Sequence, residues 1–291
     1  MSTPKSFGNA AVTESPYPFA YDQVIMIGDS ITQGAFGPGG PGTALVHRYT
    51  RIYDVLNRGF GGYNSAWCLE LAQKFLPRPA SAPQVRLLTV WLGANDCVSP
   101  GSAQHISQSE FQENFRSLVS LARSLPSPPE IVLITCPPFS SDLWEQGVAR
   151  RGIVLDDKEE RTAERAAEYA ELVRGLGKEL GLPVVDAYEA IERVALEEGK
   201  VDSEKYIKYM PDGLHPNELG YAIVTKGDQP TSLTLDGNAI MLALTCLHRI
   251  TELEKVIQTT YPKLFWDTLP HVFPPWDQVP KGALGTKFLK A

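Results

Sequence analysis

Short apolar runs punctuate the chain at residues 21–28 (YDQVIMIG), 53–57, 85–92 (VRLLTVWL), 130–136 (EIVLITC) and 183–187 (PVVDA). Their length and their flanking turn residues mark them as strands. They read as near-continuous apolar segments rather than alternating ones, the pattern of parallel strands covered on both faces. Helical stripes lie between them. Phe111, Phe115, Leu118, Ala122 and Leu125 recur at helical spacing, with Ser109 and Gln112 as a capping box just before. Tyr169, Leu172, Val173, Leu176 and Leu180 make a second stripe. Asp156, Asp157, Glu159 and Glu160 lie near its start, where acidic residues suit the helix dipole, and read as a solvated helix start rather than a cation site. Strand alternating with helix implies right-handed crossovers and one open α/β sheet of five parallel strands.

Three segments fall outside this scheme. Residues 1–20 read as a loose leader. Residues 226–249 (KGDQPTSLTLDGNAIMLALTCLHR) place Gly227, Pro230 and Gly237 where a continuous final helix is expected, and read as an insertion within a domain spanning 21–260. Residues 261–291 mix prolines with Trp266, Phe273 and Trp276 and show no helical period. Such a tail is expected as a strap over the body, with a homodimer contact as the alternative.

Composition narrows the class. At 291 residues, 43% apolar and 21% charged, the chain can bury a full core without disulfide or metal staples. Its 27 basic against 34 acidic residues, net −7, argue against nucleic acid as a partner. No apolar run approaches the roughly 18 residues of a membrane span, and Pro, Ser and Glu interrupt the N-terminus where a signal peptide needs apolar sequence. A cytoplasmic protein is the expectation. Cys68, Cys97, Cys136 and Cys246 are far apart, without CxxC or ligand-like spacing, and read as reduced, mostly buried thiols. The run 37–42 (GPGGPG) has no Lys-Ser/Thr or G-x-G-x-x-G context and reads as a mobile rim or lid loop rather than a nucleotide site.

In an open parallel sheet, ligands bind beyond the carboxyl ends of the strands. The first strand ends in Gly28-Asp29-Ser30-Ile31-Thr32. Arg58-Gly59-Phe60-Gly61-Gly62-Tyr63-Asn64-Ser65 follows the second, and the third ends in Gly93-Ala94-Asn95-Asp96. Asp212-Gly213-Leu214-His215-Pro216 comes near the end of the folded body. A serine hydroxyl becomes a good nucleophile when an imidazole takes its proton and a third group fixes that imidazole's tautomer. Ser30, His215 and Asp212 supply those three parts. The Ser30 N–H, the Gly62 N–H and the Asn95 amide supply donors for a developing oxyanion, and glycine at 62 lets the backbone approach substrate closely. Singly, Ser30 reads as a helix cap, Gly61-Gly62 and Asn95-Asp96 as turns, and His215 as a loop residue. Their order and coincidence carry the argument. His47, His105, His248 and His271 show no partner pattern and read as structural.

These four segments resemble the four blocks of the SGNH hydrolases, the GDSL-type esterases and lipases: GDSIT the serine block, GFGGYNS the glycine block, GAND the asparagine block and DGLHP the Asp-x-x-His block. Within that superfamily, RGFGGYNSAW, WLGANDC and LPHVFPPWDQV are similar to the isoamyl acetate-hydrolysing esterases. The resemblance implies a three-layer α/β/α flavodoxin-like fold, a Ser30-His215-Asp212 triad, an oxyanion hole of Ser30, Gly62 and Asn95, no metal and no cofactor. It implies a small-molecule ester as substrate, acetate-type by preference. Thioester, lysophospholipid or acetylated carbohydrate hydrolysis, alcohol acyl transfer and a catalytically dead binding protein are the alternatives. Thr32 at the last position of G-x-S-x-G argues against an ordinary α/β-hydrolase elbow. Ile31 replaces the leucine of the GDSL signature at an expected buried position, and Trp67, Trp91, Phe139 and Trp144 are candidate wall residues.

Overall fold

The computed structural model describes residues 20–150, 161–197, 205–226 and 252–269. Most of the leader, the acidic run at 156–160, nearly all of the insertion and the tail beyond residue 269 lie outside the described residues. All five expected strands form: β1 (Gln23–Gly28), β2 (Asp54–Gly59), β3 (Val85–Trp91), β4 (Glu130–Ile134) and β5 (Val184–Val185). They make one parallel sheet in the order β2-β1-β3-β4-β5. The order reverses between β1 and β3, which places a ligand-binding crevice beyond their carboxyl ends.

The sheet is the core. Val24, Ile25, Met26 and Ile27 of β1 and Leu87, Leu88 and Val90 of β3 are buried, as their unbroken apolar sequences require. Edge strand β2, with Asn57 and Arg58, is only half-buried. On one face pack α3 (Ser65–Phe75), α4 (Gln108–Arg123) and α6 (Ala163–Leu180). On the other lie α2 (Pro41–Arg48), α7 (Ala187–Glu197), α8 (Glu218–Lys226) and α9 (Glu252–Thr260). The short α1 (Ser30–Gly34) follows β1, and α5 (Ser141–Arg150) follows β4. The result is the three-layer α/β/α arrangement that the family resemblance implies, built on the parallel sheet expected from the strand pattern.

Local differences from the expectation have physical reasons. The cap of α4 is Ser107, whose Oγ accepts the Glu110 N–H at 3.3 Å, so the Ser107–Glu110 spacing replaces the expected Ser109–Gln112 box and Ser109 lies inside the helix. Strand β5 spans two residues rather than five. Asp186 leaves the ladder because its carboxylate takes the Arg174 guanidinium at 2.6 and 3.0 Å and the Glu189 N–H at 3.1 Å, starting α7. The run 37–42 is no free lid. Gly40 caps α2 with Pro41 at its first position, and a side chain on Gly39 would come within 2.5 Å of the Glu218 carbonyl.

Helix α8 is tied down at two points. The Tyr221 hydroxyl donates to the Ile31 carbonyl of α1 at 2.7 Å, and the Thr225 hydroxyl donates to the Gly39 carbonyl at 2.9 Å. Glu254 of α9, 1% exposed, pairs with Arg48 of α2 at 2.8 Å. The described part of the tail lies against the same layer: Tyr49 donates its hydroxyl to the Leu264 carbonyl at 2.9 Å, and Trp266 meets the Tyr49 ring edge-on. Among the described residues no helix is long and apolar enough to cross a membrane.

Candidate active site

Strand β1 hands the chain to Asp29, which caps α1 by accepting the Ile31 N–H at 2.8 Å. Ser30 is therefore the first helical residue, a position whose N–H has no intrahelical acceptor. Gly28 admits no side chain, because a Cβ there would lie 2.4 Å from the Trp91 carbonyl of β3. Asp29 is buried at the base of this turn. Burial raises its carboxyl to about 6, against the opposing pull of the Ile31 N–H, His215 and Arg161. Ile31 is buried, as expected.

The structure brings Ser30, His215 and Asp212 together from opposite ends of the chain. Ser30 Oγ lies 2.8 Å from His215 Nε2, and His215 Nδ1 lies 2.8 Å from Asp212 Oδ2. Asp212 Oδ1 also accepts the His215 N–H at 2.8 Å and the Leu214 N–H at 3.1 Å, so the loop wraps its own carboxylate. Burial alone would raise Asp212, but the His215 ring and these backbone donors more than offset it and hold the carboxyl well below the usual range. An ionised carboxylate only accepts, so His215 keeps its proton on Nδ1 and turns the Nε2 lone pair to the serine hydroxyl. Gly213, at φ +77°, makes the turn between Asp212 and His215, and its carbonyl accepts the Ser140 N–H at 3.0 Å.

The glycine block lies beside Ser30 and meets the asparagine block. A Cβ built on Gly61 would lie 3.9 Å from Ser30 Cβ. Gly61 donates its N–H to Gln33 Oε1 at 2.8 Å, and the Gly62 carbonyl accepts from Gln104 Nε2 at 2.7 Å. Gly62 itself has φ +80°, a left-handed conformation that favours glycine. Asn95, buried, donates Nδ2 to the Tyr63 carbonyl at 2.9 Å. Its Oδ1 accepts from Arg161 Nη2 at 3.1 Å. Asp96, also buried, accepts the Ser65 N–H at 2.8 Å, and burial raises it to about 7.

Such an arrangement can activate a hydroxyl and receive negative charge next to it. Sequence reasoning missed Gln33, which reaches the site from α1, and Gln104 and Arg161, which reach it from loops and carry no motif spacing. Of the candidate wall residues, Trp144 lies 6.2 Å from the His215 ring, and Phe139 lies 6.4 Å from Trp144. Trp67 stacks edge-on against Tyr63 at 5.6 Å and is 38% exposed. Trp91 is core, its indole donating to the Thr135 carbonyl at 2.8 Å. Cys68, Cys97 and Cys136 are buried free thiols, and burial pushes Cys97 up to about 12. His105 bonds the Val98 carbonyl; His248 and His271 lie outside the described residues.

Comparison with known proteins shows what the chain is similar to. The sequence profile of the GDSL-like lipase/acylhydrolase family matches residues 26–223. A Rattus norvegicus protein named isoamyl acetate-hydrolyzing esterase 1 homolog is 32% identical over 203 residues, covering 69% of this chain and 77% of that protein. The isoamyl acetate-hydrolyzing esterase of Saccharomyces cerevisiae is 29% identical over 268 residues, covering 89% of this chain and 95% of the yeast protein. Among solved structures, an acetyl-xylooligosaccharide esterase from Geobacillus superposes with a TM-score of 0.50 at 18% identity, covering 70% of this chain and 91% of that one. At that identity the likeness concerns the fold.

Proposed function

The chain belongs to the GDSL-like lipase/acylhydrolase family and is an esterase of that family, and from that premise we propose that it hydrolyses small, short-acyl esters, acetates above all, through a serine acyl-enzyme. The observation that carries this reading is the string of two 2.8 Å contacts from Ser30 Oγ through the His215 ring to Asp212. Ser30 Oγ attacks the ester carbonyl carbon as its proton passes to His215 Nε2. The carbonyl oxygen takes up negative charge, received by the Ser30 N–H, the Gly62 N–H and the Asn95 amide. The tetrahedral intermediate collapses, the C–O bond to the alcohol breaks, and the leaving oxygen takes the proton from His215. Water then attacks the acyl-Ser30 ester, gives its proton to His215, and the carboxylic acid leaves as Ser30 recovers its hydroxyl proton. Asp212 stabilises the imidazolium in both halves.

The acetate preference is supported by the yeast and rat relatives, whose names specify isoamyl acetate. A cytosolic site of action belongs to the same reading and is supported by buried thiols outside any disulfide. The test is a paired assay of wild type and Ser30→Ala on p-nitrophenyl esters from acetate to palmitate. Turnover confined to short acyl chains and abolished in the variant is expected. Ser30→Ala retaining wild-type turnover would refute the nucleophile, and a preference for palmitate would refute the substrate class.

A further inference from the structure

We propose that Arg161 and Gln104 are positioning residues that aim the Asn95 and Gly62 donors at the reacting carbonyl; this rests on the esterase reading above. Arg161 is 7% exposed and stands just before α6. Its Nη2 lies 3.1 Å from both Asn95 Oδ1 and Gln104 Oε1, and its Nε donates to the Ala94 carbonyl at 3.3 Å. A guanidinium has donors only, so both side-chain amides must turn their oxygens toward it. That single constraint sets two amide orientations at once.

Each orientation has a consequence at the site. With Oδ1 held by Arg161, Asn95 points Nδ2 the other way, where one N–H meets the Tyr63 carbonyl and the second remains for substrate. Were Asn95 to flip, a carbonyl oxygen would face the developing oxyanion and repel it. With Oε1 held, Gln104 points Nε2 at the Gly62 carbonyl, 2.7 Å away. The Gly61 N–H is held on the other side by Gln33, so the peptide groups flanking the Gly62 turn are fixed by side chains. The Arg161 charge also polarises the Asn95 amide in a buried setting, where such an interaction is strong. Trp144 completes the frame, 5.1 Å from the guanidinium and 6.2 Å from the His215 ring. The part of the Arg161 effect that passes through Asn95 exists only while Asn95 is present, and this separates positioning from support of the fold.

The experiment is a double-mutant cycle of Arg161→Met and Asn95→Ala, read as kcat and KM on p-nitrophenyl acetate and as the rate of labelling by a serine-directed phosphonate. Asn95→Ala is expected to lower kcat about 100-fold and Arg161→Met about 10- to 100-fold, with KM within about twofold. In the Asn95→Ala background, Arg161→Met is expected to cost several-fold less than it does in the wild type, the remaining loss passing through Gln104 to Gly62. Arg161→Lys, which keeps the charge but not the planar fork, is expected to recover only part of the loss. Gln104→Glu keeps a partner for Arg161 while replacing the Gly62-facing donor with an acceptor, and is expected to lower kcat about tenfold at unchanged melting temperature. It carries the test if Arg161→Met does not fold. Equal losses from Arg161→Met in both backgrounds, or full kcat in Gln104→Glu, would overturn the proposal. A wild type that the phosphonate does not label would instead overturn the esterase reading beneath it.

Discussion

Three aspartates, two at strand ends and one in the loop before α8, face different fates. Asp212 receives the His215 ring and two backbone N–H groups and is held low, whereas Asp29 and Asp96 are more deeply enclosed and burial dominates. The Asp212 donors make a specific prediction. In Asp212→Asn, the amide oxygen stays with the backbone N–H groups of Leu214 and His215, and the NH2 faces His215 Nδ1. The ring must then carry its proton on Nε2, the wrong nitrogen for accepting from Ser30. Asp212→Asn is expected to lose on the order of 1,000- to 10,000-fold in kcat on p-nitrophenyl acetate. Asp212→Ala, which imposes no tautomer, is expected to retain about tenfold more activity than Asp212→Asn. The reverse order would count against a tautomer-setting role. The residue types and order of Ser30, Gly62, Asn95, Asp212 and His215 were legible in the sequence because each sits in a short run with recognisable chemistry. Arg161 and Gln104 were not, because their roles exist only in side-chain contacts 57 to 67 residues away along the chain.

Elements were legible in kind but not in extent. Apolar runs announced every strand, yet β5 stops at Val185 because Asp186 finds Arg174, a partner no local pattern reveals. The start of α4 moved to Ser107 for a similar reason: two serines fit a capping signature, and the backbone used the one with an extended conformation, at φ −60° and ψ 153°. The loop bearing His215 is the element on which the site most depends. Gly213 holds φ +77° there, and a Cβ would stand 2.3 Å from the Ser140 carbonyl at the start of α5. Gly213→Ala must strain the backbone or push the loop off α5. Its expected cost is about 1–3 kcal/mol of stability by denaturant titration. Phosphonate labelling is expected to slow with it as His215 shifts from Ser30; wild-type values for both would remove this loop from the account.

Across the whole molecule, the buried carboxyls link stability to pH. Asp29 stands at about 6 and Asp96 at about 7 in the folded chain, against an unfolded value of about 3.9. Between about pH 4 and 7 the folded chain therefore holds protons that the unfolded chain has released, and stability falls as pH rises through that window. Asp212 has the opposite sign, but its depressed carboxyl acts only below about pH 4. The melting temperature is expected to be lower at pH 8 than at pH 5, with a shallower fall in Asp96→Asn. An equal fall in the variant would remove Asp96 as the source. The sequence by itself determined the layers, the parallel sheet and the residue types of the site, because burial on two faces and hydroxyl activation each demand a local composition. Only the tertiary structure decided the 2.8 Å approach of Ser30 to His215 across 185 residues of chain, that Arg161 reaches Asn95, and which carboxyl is stabilised and which is confined. Those outcomes depend on distances and solvent access across the packed sheet, and neither is a property of any stretch of chain.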